Sequence, residues 1–289
     1  MNVAIQKLQS NLFNNIEVEV LRTDEIHLIV SGNKWFKLKY YIQDCIKKGK
    51  ETLATFGGTY SNHIVATAYA CKSAGLKSIG IIRGEATKFS SHTLKDAESY
   101  GMELHFVSRE MFKEKEKIYN QFNKDVYWVN EGGLGALGSK GASEILLTAN
   151  TSIYTHIICA CGTGTMCSGL ISGALPNQKV IGISILKGNN DLENVVNSLV
   201  SKNNHASYSL LHNYHFGGYA KHPLELIQWM NELHNKENLP TDIVYTSKLF
   251  YAVKDLCNTN YFTSQDKVLV IHSGGLQGNL SLPKNTLRF

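Results

Sequence analysis

Apolar positions along the chain recur in short blocks whose period switches between two and about 3.6 residues, the signal of strands alternating with helices. Ile16, Val18 and Val20, then Ile26, Leu28 and Val30, alternate with polar residues and predict two short strands joined at Arg22-Thr23-Asp24. Leu38, Tyr41, Ile42, Cys45 and Ile46 follow at helical spacing, so a helix is expected to begin near Lys34 and to stop at Gly49. A strand over 51–56, a tight turn at Gly57-Gly58, a helix over 61–73 ended by Gly75 and a strand over 77–82 then make a βαβ unit. The rhythm continues with a helix over 93–100, a strand over 104–107, a helix over 109–122 and a strand over 126–129.

The glycine-rich stretch Gly132-Gly133-Leu134-Gly135-Ala136-Leu137-Gly138 interrupts this series, and a second one starts at Tyr154. It comprises a strand over 155–160, a glycine loop, a helix over 166–174 and a strand over 179–185. Amphipathic helices over 192–199, 224–233 and 246–256 follow, and a last strand over 267–271 leads into Ser273-Gly274-Gly275. Strands alternating with helices imply parallel pairing with right-handed crossovers, hence an α/β protein with two helix-covered, mainly parallel sheets.

Composition narrows the class. A chain of 289 residues, 43% of them hydrophobic, can bury a large core. The net charge of +5 is scattered, with no run of five basic residues, which favours a small anionic ligand over nucleic acid. No stretch of about 18 apolar residues spans a bilayer, and 1–10 lacks an apolar signal core, so no membrane partner and a cytoplasmic location are expected. Cys45 and Cys71 fall in helix patterns and Cys159 and Cys161 in an apolar strand pattern, so the six cysteines read as reduced, mostly buried thiols. Cys161 and Cys167 lack partners at structural-zinc spacing, so no metal site is expected.

Three places carry candidate chemistry. In Ser31-Gly32-Asn33-Lys34, the lysine stands at a helix start, where the dipole and burial both disfavour its ammonium form. On its own it is one of 29 lysines and arginines, most of them expected to be solvated. Cys161-Gly162-Thr163-Gly164-Thr165 places backbone N–H groups and two hydroxyls at the start of a helix, a phosphate cradle. It lacks the Gly-Lys-Ser/Thr of a P-loop and the spacing of a dinucleotide fingerprint, and a plain tight connection would read the same. Gly57-Gly58-Thr59-Tyr60-Ser61-Asn62-His63 puts Ser61 and Asn62 at another helix start, as an ordinary N-cap or as a carboxylate site.

Together with Val244-Tyr245-Thr246 and His272-Ser273-Gly274-Gly275, these motifs resemble, in order and over about 22–275, one family of pyridoxal-phosphate enzymes. It is that of 1-aminocyclopropane-1-carboxylate deaminase and D-cysteine desulfhydrase, within the tryptophan synthase β-like fold type II. The resemblance implies pyridoxal 5'-phosphate carried on Lys34, with Asn62 on its phenolic oxygen. Gly162, Thr163, Gly164 and Thr165 would hold the phosphate, with Lys37 adding charge. Ser61, with Asn62 and His63 beside it, would bind the substrate carboxylate; Tyr219 and Tyr245 would line the reacting face, and Thr246 and Ser273 would lie on the ring-nitrogen side. It also implies a homodimer, and two domains, 37–146 smaller and 1–36 with 147–289 larger, with the cofactor in the cleft between them.

The sequence departs from the family pattern at Phe36, Lys39 and Tyr60, which puts the substrate in question before the cofactor. The resemblance implies a lyase or deaminase on a small amino acid, with Lys34 taking the Cα proton. β-Elimination from D-cysteine gives pyruvate, ammonia and sulfide; the alternative opens the cyclopropane ring to 2-oxobutanoate and ammonia. Thr246 and Ser273, in place of a glutamate and a leucine, lean toward the first. From another class, a nucleotide-binding or inactive binding protein would share the same α/β plan.

Overall fold

The computed structural model describes the chain except residues 10, 28, 86–90, 123 and 202–205. Two sheets organise it. The larger has six strands in the order β1 (Ile5–Lys7), β2 (Glu17–Leu21), β10 (Lys267–Ile271), β7 (His156–Cys161), β8 (Lys179–Ser184) and β9 (Ser207–Leu211). All its pairs are parallel except β1 with β2. The smaller sheet is wholly parallel, in the order β5 (Met102–Val107), β4 (Lys77–Arg83), β3 (Thr52–Gly58) and β6 (Val126–Val129). The larger sheet thus takes strands from both ends of the chain, and the smaller takes all of its own from one continuous middle stretch.

Helices α1 (Asn33–Lys47), α2 (Asn62–Ser73), α3 (His92–Ser99), α4 (Lys115–Tyr119), α5 (Ala136–Ser143), α6 (Thr165–Gly173), α7 (Leu192–Leu199), α8 (Leu224–Glu237) and α9 (Thr246–Asn258) connect the strands. The α1 periodicity holds for Leu38, Tyr41 and Cys45, buried together with Phe36, whereas Ile42 is half-buried and Ile46 is exposed near the helix end, which Gly49 terminates at φ +64°. Leu38, 1% exposed, packs with Val30 and Ala66, and cutting it to alanine should cost about 3 kcal/mol. Strands β3, β4, β7 and β8 read as continuous apolar runs because a parallel sheet is covered on both faces.

Several expectations are corrected. The strand predicted around Ile26 and Val30 does not form; a 3-10 turn at Thr23–Glu25 leads instead into bends, and Leu28 lies outside the described residues. Gly57 and Gly58 are the last residues of β3, not a turn. The helix over 109–122 is broken into a 3-10 turn, Met111–Lys113, and the short α4, because Glu114 adopts a non-helical conformation between them. The glycine-rich stretch contains the start of α5, whose Gly138 and Gly141 let backbone and Tyr41 approach closely. Edge strands β1 and β9 carried too weak an alternation to be seen.

Candidate active site

Backbone contacts bring the separate motifs to one place. Gly32, at φ +61°, packs so tightly on the last loop that a Cβ there would lie 1.9 Å from the Ser273 carbonyl oxygen. Only glycine satisfies both the torsion and the approach. Across the two sheets, a Cβ on Gly275 would sit 2.6 Å from Asn62 Nδ2, and one on Gly132, just after β6, 3.0 Å from Thr163 Cγ2. The carboxyl ends of β3, β6, β7 and β10 therefore meet at one crevice, where open parallel sheets bind ligands.

Lys34 stands in the first turn of α1, half-buried, with no hydrogen bond or ion pair among the described residues. Burial draws its amine down to about 8, and the carboxylate of Asp242 opposes that shift. One turn on, Lys37 is 3% exposed and donates to the Gly132 carbonyl at 3.3 Å. Its ammonium is strongly disfavoured by burial and then by Lys34, with Cys161 and Cys159 pulling the other way. An anion placed beside these two buried amines would favour the ammonium forms that burial opposes.

That anion has a cradle. Gly164, at φ +76°, precedes α6 without any side-chain cap, and the N–H groups from Thr165 to Cys167 find no acceptor among the described residues. The hydroxyls of Thr163 and Thr165 are 3.1 Å apart, and Asn189 fixes the loop by donating to the Gly162 carbonyl at 3.2 Å. Behind the cradle the Cys161 thiol is drawn well down by S–H groups of Cys159 and Cys167, whose own ionisation is suppressed.

At the other helix start, Ser61 occupies the N-cap position of α2 in an extended conformation, yet its side chain accepts no cap hydrogen bond. Ser91 at the start of α3 shows the ordinary alternative, accepting from Leu94 N at 3.2 Å. Among the described residues the Ser61 hydroxyl is thus left over. Asn62 Oδ1 is likewise buried without a partner, although Asn62 is next to the crevice. His63 lies deeper: its Nε2 is 2.8 Å from Thr55 Oγ1, its Nδ1 is buried and unpartnered, and burial, then Lys34 and Lys37, keep the ring neutral.

Tyr219 and Tyr245 face each other edge to face, ring centroids 6.3 Å apart. Burial raises both phenols, so they stay protonated, and a Cβ on Gly162 would touch the Tyr245 ring at 3.2 Å. The Thr246 hydroxyl is occupied: it donates to Asp242 Oδ1 at 2.8 Å and accepts from Asp242 N at 2.7 Å. Ser273 is half-buried, with no hydrogen bond from its hydroxyl among the described residues.

Sequence patterning missed two residues here. Asp242 is fully buried and accepts from Val244 N, Tyr245 N and Thr246 N as well as the Thr246 hydroxyl; burial raises its carboxyl while these donors hold it down. An aspartate a few residues before a helix start was its only signal. Lys248, in the first turn of α9, is 0% exposed and donates to the Gly218 carbonyl at 2.6 Å. Of the family departures, Phe36 is packed in the core with Ala142 and Ile145, Lys39 is paired on the surface with Glu144, and the half-exposed Tyr60 lies at the His92 ring.

An unspent amine, a backbone phosphate cradle and buried orphan acceptors at Asn62 and His63 fit an aromatic aldehyde that carries a phosphate. The chain belongs to the pyridoxal-phosphate dependent enzymes, whose family model matches residues 8–274. It is a pyridoxal-phosphate-dependent enzyme of the kind the motifs indicated, which displaces the nucleotide-binding alternative. Among its relatives, a Thermotoga maritima protein provisionally named a 1-aminocyclopropane-1-carboxylate deaminase is 29% identical over 283 residues, covering 90% of this chain and 89% of its own. A D-cysteine desulfhydrase of Klebsiella pneumoniae is 24% identical over 284 residues, covering 90% and 87%. The crystal structure of an ACC deaminase homologue superposes with a TM-score of 0.83 at 27% identity, covering 96% of this chain and 91% of that one. No described helix is long and apolar enough to cross a membrane.

Proposed function

We propose that this enzyme catalyses β-elimination from D-cysteine or a similar small D-amino acid, releasing pyruvate, ammonia and, from cysteine, sulfide. The observation that carries the choice is the commitment of Thr246 to Asp242, which leaves the unpartnered hydroxyl of Ser273 as the neutral group offered to the ring nitrogen. The cofactor, when bound, supplies the sink for the electron pair released at Cα. A carboxylate at the ring nitrogen would deepen that sink, which a carbon leaving group needs more than a thiolate does.

In this reading Lys34 carries the cofactor and moves the Cα proton through an amine already drawn to about 8. Asn62 would hydrogen-bond the phenolic oxygen, and Gly162 to Thr165 with Lys37 would hold the phosphate. The free Ser61 hydroxyl and the start of α2 take the substrate carboxylate, as does His63 indirectly by bracing the turn from Thr55. Tyr219 and Tyr245, both protonated, close the reacting face and donate to groups that gain charge there. Residues 37–146 form a domain that closes on 1–36 and 147–289 and keeps water from the reacting carbon. A homodimer in the cytosol completes the picture, supported by the family and by six free thiols.

The test compares two compounds with one cofactor-loaded sample. Pyruvate and sulfide from D-cysteine should outpace 2-oxobutanoate from 1-aminocyclopropane-1-carboxylate. The reverse order selects ring opening instead, the reaction in the names of the Thermotoga relative and of the superposed crystal structure, and inertness toward both removes the substrate assignment.

A further inference from the structure

Three of the six cysteines converge where neither the proposed reaction nor the cofactor needs them. Cys159 and Cys161 are two apart on β7, hence on one face of the sheet, and Cys167 is the third residue of α6. Their sulfurs all lie within 4.8 Å of one another, and the residues are 0%, 1% and 0% exposed. Space for the sulfurs comes from Gly182 on the neighbouring β8, opposite Cys159: a Cβ there would meet Cys161 Sγ at 2.7 Å and Cys167 Sγ at 2.9 Å. We propose that Cys159, Cys161 and Cys167 form a binding site for a soft monovalent ion, Cu(I), directly behind the phosphate cradle.

The geometry favours three-coordinate sulfur. A metal–sulfur bond of about 2.3 Å puts the sulfurs of a trigonal set about 4.0 Å apart, which small rotations about χ1 reach from the separations present. Among the described residues no further His, Cys or carboxylate joins these three sulfurs, so a zinc ion lacks its fourth ligand, whereas thiolates alone satisfy Cu(I). Binding releases the three S–H protons to solvent and leaves copper as Cu(I), so no oxidant is required. Sequence spacing hid the site, because a strand and a helix separated by the loop supply the donors. Packing of thiols as small apolar groups explains single buried cysteines such as Cys257; it does not gather three sulfurs at coordinating distance.

Cys161 and Cys167 bracket the residues that form the cradle, so an ion bound to both staples the loop at its two ends. The experiment titrates the cofactor-loaded protein anaerobically with Cu(I) in competition with bicinchoninic acid. One tight Cu(I) per chain is expected, with X-ray absorption showing three sulfurs at about 2.3 Å. Cys159→Ala, Cys161→Ala and Cys167→Ala should each weaken binding at least about 100-fold, more than loss of an outer-shell partner does, and Cys257→Ala should leave it unchanged. Absorption on the unmodified protein decides the matter even where an alanine variant fails to fold. Failure to compete with the chelator, fewer than three sulfur ligands, or undiminished binding in the Cys159, Cys161 and Cys167 variants would overturn the site.

Discussion

Lys34 and Lys248 are both held near the same buried carboxylate, and burial brings both amines to about 8 against the pull of Asp242. Their surroundings differ in one respect. Lys248 is sealed in and spends a proton on the Gly218 carbonyl, at 2.6 Å, whereas the Lys34 amine, at the crevice, has no partner among the described residues. A lowered pKa therefore does not by itself mark a nucleophile; an accessible and unspent lone pair does. Lys248 acts on position instead. The loop it grips turns through Phe216, Gly217, Gly218 and Ala220, all at positive φ, and presents Tyr219 to Tyr245.

The strongest way to break this contrast is to remove each amine. Lys34→Ala should lower kcat/KM at least ~10,000-fold and abolish the borohydride-stable cofactor adduct, read by peptide mapping. An adduct that persists on Lys248 would erase the distinction. Lys248→Met should keep the adduct on Lys34 but lower stability by about 2 kcal/mol, since the Gly218 carbonyl loses its donor in a buried place. Its kcat should fall about tenfold through the displaced Tyr219 while substrate KM changes little, which steady-state kinetics and thermal melting together resolve.

pH sharpens the comparison further. In the cofactor-free chain both amines titrate near 8, against about 10.4 when unfolded. Between those values the unfolded chain holds more protons, so stability should rise as pH increases from about 8 to about 10, with the full penalty present below 8. Melting temperatures across that range should climb in the wild type and climb less in Lys248→Met. Asp242→Asn removes the charge that favours both ammonium forms, so the pH at which Lys34 captures the cofactor should move below 8, measured by the rate of adduct formation. The smallest effect belongs to Lys39, 43% exposed and paired with Glu144 at 2.6 Å. Lys39→Ala should change stability by less than about 1 kcal/mol and leave activity intact, although it is one of the family departures.

The sequence by itself determined the alternation of elements, because a parallel sheet covered by helices writes its period into every strand and helix long enough to repeat it. Lys34 at a helix start, the cradle from Gly162 to Thr165, and Ser61 with Asn62 were legible for the same reason: local torsions and helix ends depend on residues next to one another. What is set by side-chain packing was not legible. The fate of the Ser61 hydroxyl, idle where Ser91 caps, the buried Asp242 behind Thr246, the grip of Lys248 on Gly218, and the meeting of Cys167 with Cys159 and Cys161 all depend on packing. Lys248 and Gly218 are 30 residues apart, and the nearer partners are joined across turns and loops that break any period, so only the tertiary structure decided which lysine is free, which carboxylate is spent and which sulfurs touch.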